Sequence, residues 1–252
     1  MIYELRSYEV LPGRMPAMHA RFQNHTIGIF RKHGIEVVGF WDVVIGTSNV
    51  LHYILRFDDL GHRDHVLDPA IRPLGPGEVI AGPANPFLVA EVSQIPAEPY
   101  TGEIAALDDV LPGEVILVAA GGSARAACWG ELFSTAARAR GARGTLIDGY
   151  CRDARSIAAL GYPVWCRGML PLDCKGRTAV TAWRQPAVVG GLPVRPGDLV
   201  VADADGAVVV PAGLIDETIR LALAKASKEH RLRDALEAGS TLRAAYDRFG
   251  VL

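Results

Sequence analysis

GTLIDGYCRDARSI, residues 144–157, is an apolar run bounded by glycine that stops at a turn and then shows two opposite charges side by side, Arg152 and Asp153. Its centre, residues 145–148, has the length and composition of a buried strand. The charges allow two readings: a strand running out into a solvated loop, or a strand end that presents a cation and a carboxylate to a ligand. An Arg-Asp pair is common on surfaces and contributes little there, so the surrounding sequence has to separate the two.

On either side, short β-rich runs at Val115–Ala119 and residues 199–201 alternate with helical patterns over residues 127–140, 155–160 and 214–238. Pro and Gly close the short segments IRPLGPGEVIAGPANP, LPGEVILVAAGG and GYPVWCRG. Alternation of this kind builds an α/β unit. The last pattern is bounded by Gly213 or its neighbours and by Gly239, and its mixed charge, ALAKASKEHRLRDALEAG, marks a solvated or subunit-facing surface.

Three elements stand close in this part of the sequence: Gly121-Gly122, the helix start in CWGELFSTAARARG, and the strand end at Arg152-Asp153. A glycine-containing entry into a helix leaves the N–H groups of Gly130, Glu131, Leu132 and Phe133 without intrahelical partners, and such a terminus attracts a carboxylate or phosphate. Arg152 is suited to clamp the same anion in a bidentate way. Asp153 offers a hard oxygen to Mg²⁺ or Mn²⁺, which take one or two protein carboxylates and keep several waters. Together these suit a 2-oxo acid, whose carboxylate and keto oxygen chelate a divalent ion. Glu131 also has a ligand-free explanation as a first-turn charge that stabilises the helix, and Trp129 and Tyr150 are expected to be packing residues.

The totals narrow the field. A length of 252 residues accommodates two domains, and a net charge of −2 argues against a polyanion-binding surface over the whole protein, so nucleic acid is not an expected partner. Cys128, Cys151, Cys166 and Cys174 form no CxxC pair, which leaves buried or free thiols in a reducing compartment as the simple reading. MIYELRSYEV carries charges within its first six residues and has no apolar signal core. No span of about 18 apolar residues occurs, and a soluble, cytoplasmic protein without a membrane segment is expected.

Texture changes near residue 66, and the expected domains are 1–66 and 67–252. Six of the 7 histidines lie in the first 65 residues. The early part reads as a β-α-β-β unit: a strand over residues 2–10, a Leu11–Gly13 turn, a helix over about residues 14–32 with Met15, Met18, Phe22, Ile29 and Phe30 at helical spacing, and strands over 36–45 and Val50–Phe57 joined through Gly46-Thr47-Ser48-Asn49. His19, His25 and His33 lack the i, i+4 spacing of a helical metal site, and His62 and His65 lie in a polar GHRDH loop with no third ligand nearby. Structural or solvated histidines are expected.

The opening strand, the PGR turn, the helix and HGIEVVGFWDVVIG resemble the NIPSNAP family over about residues 1–65. The resemblance implies a partial ferredoxin-like unit, since the family's further helix and strand are missing, and it implies pairing with another subunit or cover from the second part. WGELFSTAARARGARGTLIDGYCRDARSIAALGYPVWCRG followed by VRPGDLVVADADGAVVVP resembles the RraA-like family, which includes 4-hydroxy-4-methyl-2-oxoglutarate aldolases, over about residues 68–252. Glu131, twenty intervening residues and then Arg152-Asp153 match its acidic-x20-Arg-Asp signature.

This second resemblance implies a layered, swivelling β/β/α domain, usually in trimers or hexamers with sites near subunit interfaces. It implies that the amides from Gly130 to Phe133 and the Arg152 guanidinium hold a 2-oxo acid, that Asp153 binds a divalent cation, Mg²⁺ or Mn²⁺, and that Glu131 lies near the metal's water shell. Ser156 stands where family aldolases commonly carry an acidic residue. The implied reaction is retro-aldol cleavage to pyruvate, with oxaloacetate decarboxylation as a possible companion. A Schiff-base route needs an activated lysine, and none of Lys32, Lys175, Lys225 and Lys228 falls within the constellation in sequence. Two alternatives remain: a non-catalytic regulator that binds and inhibits ribonuclease E, as some RraA-like proteins do, and a scaffold built on the NIPSNAP-like segment.

Overall fold

The structure, a computed structural model, describes residues 2–32, 35–42, 49–57, 66–75 and 79–251. They form two compact units, Met1–Val66 and Leu67–Leu252. In the first, β1 (Ile2–Glu9) leads to a helical run of α1 (Met15–Arg21), a π-helical turn (Phe22–Thr26) and α2 (Ile27–Lys32). Strands β2 (Glu36–Asp42) and β3 (Val50–Phe57) complete an antiparallel sheet ordered β1-β3-β2.

The β-α-β-β order is the one the periodicity predicts. Central β3 buries Leu51, Tyr53, Leu55 and Phe57 on one face, where Phe22 packs edge-on against Phe40 and Tyr53 at 5.1 and 5.2 Å between ring centroids. His33, His62, His65 and Gly46-Thr47-Ser48 lie outside the described residues. His19 meets Asp42 at 3.0 Å and His52 meets Ser7 at 2.7 Å, local contacts that need no ligand.

The second unit is built on one curled sheet whose path, among the described residues, runs β14-β13-β5-β6-β8-β9-β4. Its members are β4 (Arg72–Pro73), β5 (Ile80–Glu91), β6 (Val115–Ala119), β8 (Gly144–Cys151), β9 (Val164–Met169), β13 (Leu199–Ala202) and β14 (Ala207–Val210). Off the path, β7 (Ala127–Trp129) joins β8, and β10 (Thr178–Trp183) joins β5. A separate hairpin is formed by β11 (Ala187–Val189) and β12 (Leu192–Val194). The helices are α3 (Thr101–Asp108), α4 (Glu131–Ala139), α5 (Ala154–Leu160), α6 (Ile215–Glu237) and α7 (Leu242–Phe249).

Strands β5, β6, β8 and β9 run parallel, and a parallel sheet is covered on both faces. Hence the run VILVA shows no apolar-polar alternation: Val115 and Leu117 enter one core with Leu146, Trp165, Val189 and Val194. Ile116 and Val118 enter the other with Ile147, Ile157 and Trp129. The first core lies between the sheet and the β11–β12 hairpin, and the second between the sheet and helices α3 to α5. That is the layered β/β/α arrangement the RraA-like resemblance implies.

Three sequence expectations give way. GPANP, expected as part of a run of closed short segments, lies within β5, a strand of 12 residues. Pro is normally excluded from central strands, but Pro83 is the last residue paired with β13 and Ala84 the first paired with β6. The strand changes partners where it lacks a donor. Residues 127–129 are strand instead of helix, since Ala127 and Trp129 pair with Tyr150 and Cys151 of β8. Finally, the pattern over residues 214–238, expected as the last helix, forms α6 as expected but is followed by another capped helix, α7, whose Thr241 side chain accepts from Ala244 N–H.

Candidate active site

Because β6, β8 and β9 are parallel, their carboxyl ends share one edge, where ligands of open α/β sheets characteristically bind. The charged pair of the opening motif is located there. Strand β7 pairs with the end of β8, and Arg152 N–H donates to the Trp129 carbonyl at 3.0 Å. This pairing sets Gly130 and the start of α4 beside Arg152 and Asp153. A Cβ at Gly130 would approach Asp153 Oδ2 to 2.8 Å and Arg152 Cγ to 3.2 Å, so any larger residue there would displace the Asp153 carboxylate.

The α4 entry is rigidly braced. Trp129 is buried and its Nε1–H donates to Ser134 Oγ at 2.8 Å, while the Ser134 hydroxyl donates to the Gly130 carbonyl at 3.1 Å. The Trp129 and Phe133 rings meet edge to face at 5.7 Å. Of the four amides expected to receive an anion, Glu131 N–H is already committed to Asp153 Oδ2 at 3.2 Å. The Leu132 and Phe133 N–H groups, in the first turn, have no hydrogen-bond acceptor among the described residues.

Asp153 is the N-cap residue of α5 and has φ 61°, in the left-handed region. Its carbonyl accepts from Ser156 and Ile157 N–H at 2.9 and 3.0 Å, which starts α5. Oδ2 also meets Arg152 Nη1 at 3.2 Å, whereas Oδ1 takes no hydrogen bond among the described residues. The Asp153 side chain is 36% exposed. A single carboxylate with one oxygen uncommitted and open to water fits a Mg²⁺-type ion that keeps most of its hydration shell. No group of three or more His, Cys, Asp or Glu able to cage a metal occurs among the described residues. The exposed Ser156 brings no carboxylate to this point.

Asp173, which sequence reasoning missed, completes the arrangement. Its Oδ2 meets Arg152 Nη2 at 3.2 Å, and its Oδ1 accepts from the Tyr100 hydroxyl and from Lys175 N–H, each at 2.8 Å. Burial raises the Asp173 carboxyl, but the Lys175 amide, the Tyr100 hydroxyl, Arg152 and Arg177 together hold it below the usual range. The bond to Asp173 in turn pushes the Tyr100 phenol up to about 12. Cys174, the next residue, is pushed up to about 12 chiefly by burial, so it is a neutral thiol and not a nucleophile at physiological pH. Asp173 follows the strand after β8, in the loop MLPLDCKG, and a carboxylate in a Pro-containing loop after a parallel strand was the available signal.

Arg152 forms a wall common to two cavities. One, of about 250 Å³, is lined by Tyr100, Ile104, Trp129, Leu132 and Phe133; the other, of about 410 Å³, is lined by Asp153, Met169, Leu170 and Asp173. Among the described residues, no lysine lines either. Gly121-Gly122, expected beside this site, lies elsewhere: Gly122 N–H donates to the Asp148 carbonyl, and a Cβ there would meet Arg167. Arg167 in turn pairs with Asp148 at 2.6 Å and Asp68 at 2.7 Å, an ion-paired cluster distinct from Arg152.

Fold and site define an α/β protein with an arginine-carboxylate centre at the carboxyl edge of parallel strands, facing a helix amino terminus. The chain belongs to the RraA-like family, Aldolase/RraA, which matches residues 42–209. A protein of Halalkalibacterium halodurans, provisionally named 4-hydroxy-4-methyl-2-oxoglutarate aldolase, is 32% identical over 68% of this chain and 78% of its own. Streptomyces coelicolor RraAS2, described as an unusual member of the RNase ES inhibitor RraA protein family, is 34% identical over 70% of this chain and 87% of its own, with a TM-score of 0.62. A NIPSNAP domain protein from Burkholderia xenovorans is 28% identical over 25% of this chain and 61% of its own, with a TM-score of 0.24. No helix among the described residues is long and apolar enough to cross a membrane.

Proposed function

We propose that the second unit is a divalent-metal-dependent lyase that cleaves a 4-hydroxy-2-oxo acid, of the type of 4-hydroxy-4-methyl-2-oxoglutarate, to pyruvate. The observation that carries this reading is the Arg152-Asp153 pair at the end of β8, set against the Leu132 and Phe133 amides at the start of α4. Those amides and Arg152 bind the substrate carboxylate, in the manner of helix termini and guanidinium forks. Asp153 holds Mg²⁺ or Mn²⁺, and the cation supplies Lewis-acid polarisation of the 2-keto oxygen.

Asp173 and Tyr100 keep the Arg152 guanidinium in place from its other side. Glu131, partly exposed at the head of α4 with Thr135 donating to its Oε1 at 2.8 Å, takes the proton from the C4 hydroxyl through water as the C3–C4 bond breaks; C4 leaves as a carbonyl, the bond's electron pair passes into the enolate of pyruvate, and the proton returns through water to C3. The same residues accommodate oxaloacetate, whose decarboxylation also yields pyruvate. Homo-oligomerisation as a trimer or hexamer, and a cytoplasmic setting, belong to this proposal.

A coupled pyruvate assay with and without EDTA tests it: activity abolished by the chelator and restored by Mg²⁺ or Mn²⁺ is expected, and activity that survives chelation would sink the metal assignment. Likeness to RraAS2 favours a second reading, a regulator that binds ribonuclease E without catalysis. Binding of ribonuclease E that persists in Arg152→Ala, in a chain that releases no pyruvate, is the outcome belonging to that reading.

A further inference from the structure

A cavity of about 270 Å³ lies in the first unit between the helical run, which contributes His19, Phe22 and Ile27, and the sheet, which contributes Phe40, Trp41 and Asp42. Both walls depart from regular structure where they face it. On the helical side Ile27 N–H donates to the Phe22 carbonyl, five residues back, and π-helical turns of this kind are frequent at functional sites. On the sheet side the pairing of β2 with β3 slips between Val37 and Gly39, a bulge that re-aims the side chains after it, Phe40 to Asp42. A Cβ at Gly39 would meet the Trp41 ring at 3.0 Å, so the indole lies close over the strand. Phe22 and Phe40, edge to face at 5.1 Å, complete an aromatic wall suited to a further ring. An apolar cavity of about 150 Å³ accommodates benzene, so this one has room for a substituted ring.

The polar partner in this cavity is a histidine whose tautomer is set. His19 Nε2 and Asp42 Oδ1 are 3.0 Å apart, and a carboxylate accepts without donating, so Nε2 carries the hydrogen. In the neutral imidazole Nδ1 is then left as an acceptor. We infer that the cavity is a binding site for a hydroxyaromatic molecule, a phenol whose ring packs on Phe22, Phe40 and Trp41 and whose hydroxyl donates to His19 Nδ1. The contact between His19 and Asp42 needs no ligand, and its use here is to hold the imidazole in the accepting form. All of these residues belong to the first unit, so the inference is independent of the lyase reading of the second.

The test is isothermal titration of the full chain by 4-methylphenol and by its methyl ether, 4-methylanisole, which keeps the ring and loses the donor. The phenol is expected to bind at least about tenfold more tightly, the scale of one hydrogen bond to a fixed acceptor. In His19→Phe that preference is expected to vanish. In Trp41→Ala both ligands are expected to bind about fivefold more weakly with the preference kept, because the ring contact is lost and the acceptor is not. Saturating pyruvate with Mg²⁺ is expected to leave both affinities unchanged. Equal binding of phenol and ether by the unaltered chain, a preference that survives in His19→Phe, or affinities unmoved in Trp41→Ala overturns the inference. Binding of neither ligand, the result if a second copy fills the cavity, overturns it too, as does competition by pyruvate, which places the phenol in the second unit.

Discussion

The main-chain N–H of Glu131 donates to Asp153 Oδ2 at 3.2 Å, so the carboxylate at the end of β8 is fastened to the first residue of α4. An amide side chain at 153 still presents an oxygen to that donor but no negative charge to a cation. Asp153→Asn is therefore expected to lower Mn²⁺ affinity at least about tenfold and to abolish metal-dependent pyruvate release, with the melting temperature changed by no more than about 2 °C. Titration calorimetry and a thermal melt on one preparation check both halves, and unchanged Mn²⁺ binding would remove Asp153 from the metal site.

Gly130 tests the closeness of the two elements. In Gly130→Ala the new methyl meets Asp153 Oδ2 at 2.8 Å, well inside van der Waals contact, and the carboxylate has to move. With reacting groups displaced by a fraction of an ångström, a fall in kcat/KM of about 10- to 100-fold is expected, alongside weaker Mn²⁺ binding. Steady-state kinetics on Gly130→Ala and Gly130→Ser, both carrying a Cβ, should agree, and wild-type kinetics in both would contradict the packing.

Asp173 carries a pH signature. Its carboxyl is depressed in the folded protein despite burial, so the charge stabilises the fold fully above the ordinary Asp value near ~3.9 and ceases to do so as pH falls through the lower folded value. The difference in melting temperature between wild type and Asp173→Asn, open at pH 7, is expected to begin to narrow near about pH 4 and to close as pH falls through the lower folded value. A difference that stays constant from pH 7 to pH 3 would show that the Asp173 charge plays no part.

The Asp148 carboxylate, 5% exposed, depends on Arg167. Burial lowers the Arg167 pKa, but hydrogen bonds to Asp148 and Asp68 outweigh it and leave the guanidinium more basic than usual. Arg167→Met removes the cation and leaves a buried, unpaired carboxylate, for which a loss of about 3 kcal/mol is expected from urea denaturation. The double variant Arg167→Met/Asp148→Asn should recover part of that loss, because it removes the stranded charge as well.

Local chemistry made some of the site readable and tertiary pairing hid the rest. Arg152 and Asp153 announced themselves because a strand buried on both faces is continuously apolar and its end is therefore abrupt. Ala127–Trp129 carries no period long enough to tell strand from helix, and only its pairing with β8 decides. Strand β5 was concealed by Pro83, tolerated because the partner changes from β13 to β6 at that point, and by Pro86, which stands one residue before pairing with β10 starts at Phe87. Asp173 reaches Arg152 across 21 positions of sequence, through a contact that no spacing rule encodes. Gly121-Gly122 lay near in sequence and was drawn to Arg167 by the Asp148 carbonyl.

The left-handed backbone at Asp153, φ 61°, bears on how this protein changes over generations. Most side chains are strained there, whereas Gly, Asn and Asp are tolerated. A descendant that abandons the chemistry therefore has few inexpensive exits at this position, chiefly Asn and Gly, each a single-nucleotide step from Asp codons. Position 153 thus doubles as a historical marker for the proposed metal role: Asn or Gly there keeps the turn and gives up the carboxylate, while Ala or Val signals that the turn itself has been rebuilt.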